Sequence, residues 1–77
     1  MIKIPADINS MDRLGRVNLS SDIAIQSIKS AGNSAFVGAT VILWAENDYE
    51  VKAVLDYDQK HGFWVASPIW STLRDFT

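Results

Sequence analysis

Between Tyr49 and Asp58, the residues Tyr49, Val51, Ala53, Leu55 and Tyr57 alternate with Glu50, Lys52, Val54, Asp56 and Asp58. A period of two over such a length marks a strand with one apolar face and one mostly polar face. A strand like this cannot stand alone. It needs neighbours along its edges and a cover for its apolar side. The flanking sequence supplies the neighbours. Thr40-Val41-Ile42-Leu43-Trp44 is a β-rich run after Gly38, and Glu46-Asn47-Asp48 is turn chemistry. Asp58-Gln59-Lys60-His61-Gly62 is a second turn, with Gly62 placed for a bulge, and Phe63-Trp64-Val65-Ala66 is a third strand ended by Pro68. A three-stranded meander from about Thr40 to Ser67 is therefore expected. Pairing across the second turn sets Tyr57 near Phe63 and Leu55 near Val65, so Val51, Ala53, Leu55 and Val65 share the core face. Across the first turn two registers stay open. A two-residue loop sets Trp44 opposite Val51, facing the core. A three-residue loop sets Leu43 there and turns Trp44 outward, because a one-residue slip exchanges the faces.

The remaining segments must cover the sheet or close it. Ile2–Ile4 is a short β-like run stopped by Pro5, which cannot donate to a ladder. Arg16-Val17-Asn18-Leu19 reads as a short strand, pairing with either Ile2–Ile4 or the meander. Ser20 to Ala31 is the one helix expected. Ser20 or Ser21 caps it, Asp22 lies in its first turn, and Gly32 or Asn33 ends it. Ala24, Ile28, Ala31 and Ala35 fall at helical spacing, although Ile23-Ala24-Ile25 also suits an extended segment. Residues 69–76 suit a turn of helix or a closing strand. The fold class is mainly β with one short helix (α+β), a small bent antiparallel sheet or barrel spanning residues 1–77 as a single domain. In size and element order this outline is similar to SH3-like barrels.

Composition limits how such a chain is held and what it binds. Its 77 residues contain no Cys, so packing must stabilise a domain near the lower size limit. Lys3, Arg13, Arg16 and Lys29 against Asp7, Asp12 and Asp22 leave residues 1–38 at +1, and the acidic second half is at −3. No basic run occurs, so a nucleic-acid partner is not expected. The longest apolar stretch, Val41 to Ala45, is far too short to span a bilayer, and the start lacks the apolar run of a signal peptide. A cytoplasmic location without membrane association is the expectation.

Catalytic chemistry is poorly supplied. There is one His, no Cys and no nucleophile elbow. His61 is a possible base or ligand without a second His, and its simpler reading is a solvated turn residue. Glu46, Asp48, Glu50, Asp56 and Asp58 are dense enough for a cation site, but their spacing is not that of an EF-hand loop, and a solvated sheet face accounts for them. The glycines do not form a phosphate loop. No catalytic residue, metal or cofactor is nominated, and the chain is not expected to be an enzyme.

Two features remain. In Met11–Leu19, the residues Asp12, Gly15, Arg16, Val17 and Leu19 resemble the D-x-x-G-R-[IV]-x-[IL]-P opening of AbrB-like swapped-hairpin transcription factors, with Ser20 in place of the Pro. The resemblance implies a small dimeric DNA-binding regulator using Arg13 and Arg16. The second feature is aromatic excess: Trp44, Trp64 and Trp70, with Tyr49, Tyr57, Phe36, Phe63 and Phe76. Strict alternation cannot hide both Phe63 and Trp64 on one face. Trp and Tyr concentrate at interaction hot spots. The leading expectation is a non-enzymatic module that binds a protein or peptide, or itself, through Trp44, Tyr49, Trp64 and Trp70.

Overall fold

In the computed structural model, which describes residues 1–76, strands β1 (Lys3–Pro5) and β2 (Val17–Asn18) precede helix α1 (Asp22–Ala31). Strands β3 (Thr40–Ala45), β4 (Tyr49–Asp58), β5 (Phe63–Pro68) and β6 (Arg74–Asp75) follow. They form one curled sheet in the order β1-β3-β4-β5-β2, with β6 on β4 beyond the end of β5. The sheet is mixed rather than wholly antiparallel, because β1 runs parallel to β3. Parallel neighbours need a long crossover. Here the crossover contains β2 and α1, and it brings the helix back against β1.

The core lies inside this half-barrel. Ile4, Val17, Leu19, Val41, Leu43, Val51, Leu55 and Ala66 are buried from the sheet side, and Ala24 and Ile28 of α1 close over them. Each buried Leu, Ile or Val contributes about 1.5–3 kcal/mol. That gain lets α1 form despite its β-branched residues. The Ala24 N–H donates to Ser21 Oγ at 3.2 Å, and Gly32, with φ of +57°, ends the helix.

The first hairpin takes the three-residue loop. Leu43 pairs with Val51 and Trp44 with Glu50. The Asp48 N–H donates to the Ala45 carbonyl at 3.1 Å, and Asn47 has φ of +59°, a conformation Asn tolerates better than most residues. Trp44 therefore faces outward.

The second hairpin departs from the expected register. Tyr57 pairs with Trp64 and Leu55 with Ala66, instead of Phe63 and Val65. The cause is a four-residue loop, residues 59–62, closed by the Gly62 N–H on the Asp58 carbonyl at 2.7 Å. One extra loop residue exchanges the faces of β5. Trp64 and Ala66 turn inward, while Phe63 and Val65 turn to the opposite face. Val65 is still buried, in a cleft that residues of the β1–β2 and β2–α1 connections also line.

Strand β2 takes its partner from the meander, pairing Val17 with Ala66 and Asn18 with Val65. The last segment uses both of its expected conformations. A 3-10 turn at Trp70–Thr72 leads into β6. Ile69 N–H donates to the Lys52 carbonyl at 2.8 Å, and Lys52 N–H donates to Thr72 Oγ1 at 2.9 Å. The C-terminal segment thus runs along the β4 edge that β5 leaves open.

Candidate interaction surface

The Asp12–Arg16 segment is a self-contained turn. Asp12 Oδ1 accepts from the backbone N–H groups of Leu14 and Arg16, both at 2.9 Å. Gly15 supplies the positive φ, +76°, that lets the chain reverse. Arg16 then folds back, with Nε donating to Asp12 Oδ2 at 2.7 Å and Nη2 to Asp58 Oδ2 at 2.9 Å. The D-x-x-G-R spacing is accounted for by these bonds. Arg16 is enclosed by two carboxylates, while Arg13 stands exposed beside it.

Asp58 is the hub of that corner. It is 9% exposed and also accepts from His61, through the backbone N–H and through ring Nδ1, both at 3.0 Å. The His61 bonds, followed by Arg16, hold the Asp58 carboxyl well below the usual carboxylate range. His61 is therefore a tethered residue rather than a merely solvated one, and its ring stacks on Phe63 with centroids 5.6 Å apart. Asp12, Arg16, Asp58 and His61 line a cleft of about 860 Å³ together with Met11, Ile23 and Val65. Among the described residues no set of three or more His, Asp or Glu side chains is grouped to hold a metal ion.

The four aromatic residues expected to form one patch are separated by the fold. Trp64 is on the inner face, half-buried, and meets Tyr57 edge-on at 5.2 Å. Tyr49 is 4% exposed, so it is a core residue and not a surface contact. The alternation of β4 turns it inward, and its hydroxyl donates to the Ala6 carbonyl. Burial, with the charge of Asp7 adding to it, pushes the phenol up to about 12. Trp44 stands half-buried on the outer face, and Trp70, in the 3-10 turn, is 47% exposed.

Two residues that sequence reasoning passed over complete the surface. Phe76 is 51% exposed and Leu73 39% exposed, on the same short segment as Trp70. The Phe76 N–H donates to the Asp48 carbonyl at 2.9 Å. Phe76 and Trp44 both line a groove of about 320 Å³, together with Lys3, Glu46, Tyr49 and Glu50.

No protein-family profile matches the sequence, and neither a curated protein nor a solved structure matches it. Among the described residues, no helix is long and apolar enough to cross a membrane.

Proposed function

We propose that the chain is a non-enzymatic interaction module that engages a protein or peptide partner, or a second copy of itself, through its C-terminal edge and the adjoining outer face at Trp44. The observation that carries this reading is the concentration of exposed large apolar side chains, Ile69, Trp70, Leu73 and Phe76, in one eight-residue segment. Solvent contact with so much apolar surface is unfavourable unless something covers it. The bent barrel, SH3-like in outline, suits the role because it leaves one sheet face open beside that edge. We place the chain in the cytoplasm, where the absence of cysteine sacrifices no disulfide support.

The alternative reading, a dimeric DNA-binding regulator using Arg13 and Arg16, has less behind it. Duplex binding depends on several cations free to neutralise phosphates. Arg16 already serves two carboxylates, which leaves Arg13 alone in that hairpin.

The test is selection of a random displayed-peptide library against the folded chain and against a Trp70→Ser/Phe76→Ser variant, with sedimentation velocity for self-association. The expected result is a set of peptides, or a concentration-dependent dimer, that the variant loses while keeping its circular dichroism. A strictly monomeric protein that selects nothing above background removes the proposal.

A further inference from the structure

We infer that the groove between Trp44 and Phe76 receives an arginine side chain of an extended basic peptide. The inference rests on the interaction-module reading and names the partner's chemistry. Three features of the groove point the same way.

Its walls are aromatic: Trp44 and Phe76 line it. Aromatic faces attract cations, and a planar guanidinium stacks on them better than an ammonium does.

Its rim is acidic. Glu46 and Glu50 line it, and Glu46 forms no ion pair among the described residues. A cation entering the groove gains the Glu46 carboxylate, which no cation among the described residues now pairs, and guanidinium can bond two oxygens at once.

The chain already rests its own cations there. Lys3 Nζ lies 3.7 Å from Glu50 Oε1, and the Arg74 guanidinium lies 5.6 Å from the centre of the Phe76 ring. Both side chains are exposed, and contacts of this kind are weak, so an incoming arginine can displace them. Trp70 and Leu73 extend the apolar surface along the same segment, beyond the reach of a lone amine. The occupant is therefore an extended peptide that carries apolar residues as well as arginine.

The experiment uses fluorescence anisotropy with three labelled, acetylated hexapeptides alternating leucine with arginine, glutamine or glutamate, and the Trp44 indole N–H resonance reports the site. The arginine peptide should bind saturably, shift that resonance, and bind about tenfold more tightly than the glutamine peptide, the effect of one charge-assisted bond. Glu46→Gln/Glu50→Gln should abolish the difference. Arg74→Ser should tighten binding about two- to fivefold by uncovering the Phe76 ring, a gain that no loss of structure would mimic. Equal binding of the arginine and glutamine peptides, or arginine binding unchanged in the carboxamide variant, overturns the inference and leaves the interaction-module reading standing. Failure of the arginine peptide to bind overturns it as well. If the displayed library also selects nothing and the chain stays monomeric, both fall together.

Discussion

Tyr49 sits where the apolar face of β4 meets the first strand, and its hydroxyl answers a carbonyl of the chain that leaves β1. The neutral phenol is the form that fits there. Its ionisation is raised to about 12, above the ordinary value of 10.0. Stability from this group is fully present below pH 10 and is lost as pH rises from there toward 12, because the unfolded chain ionises first. Thermal melts across that range should fall more steeply for the native chain than for Tyr49→Phe. At neutral pH the same variant should cost about 1 kcal/mol, the worth of one hydrogen bond. Asp58 has the opposite sign. Its carboxyl is depressed below 3.8 by His61 and Arg16, so its contribution is complete above that value and fades as pH falls through the acid range. An Asp58→Asn variant should melt lower at pH 7 and show a flatter acid limb, measured by circular dichroism between neutrality and strong acid.

At the scale of elements, the two hairpins show why one turn was more legible than the other. The Tyr49–Asp58 alternation announces its own strand and face, and the helix announces its ends through Ser21, Asp22 and Gly32. Register is different, because it depends on counting loop residues whose conformation is local. Asn47 in the left-handed region selects the three-residue loop. Asn47→Gly should leave the urea midpoint nearly unchanged, while Asn47→Val should lower stability by about 1–2 kcal/mol, the cost of that conformation for a residue with a branched Cβ. The second turn holds one residue more than the sequence reading allowed, and that residue moved Trp64 inward and Phe63 outward. The groove was harder to read still. Trp44 was legible as outward only in one of two registers, and Phe76 meets it through a bond to Asp48 that spans distant segments. Nothing in local spacing encodes such a meeting.

The whole molecule rests on one thin layer of buried residues between a curled sheet and a single helix. A domain of this size has on the order of 4–12 kcal/mol of stability. Leu55→Ala, at a fully buried site in the middle of β4, should remove about 2–5 kcal/mol and shift the urea midpoint accordingly. The contacts that complete this layer are distant in sequence, and the parallel pairing of β1 with β3 joins residues 39 apart. It also has a consequence in time. Lys3–Pro5 leaves the ribosome before Thr40–Ala45 does, so the first strand waits with both edges bare until its partner follows. A waiting strand recruits neighbours through its unpaired backbone. Pro5 removes one donor from that backbone and Lys3 adds a charge beside it. The residue that ends the strand in the finished fold thus also guards the nascent chain against pairing with another copy on the same message.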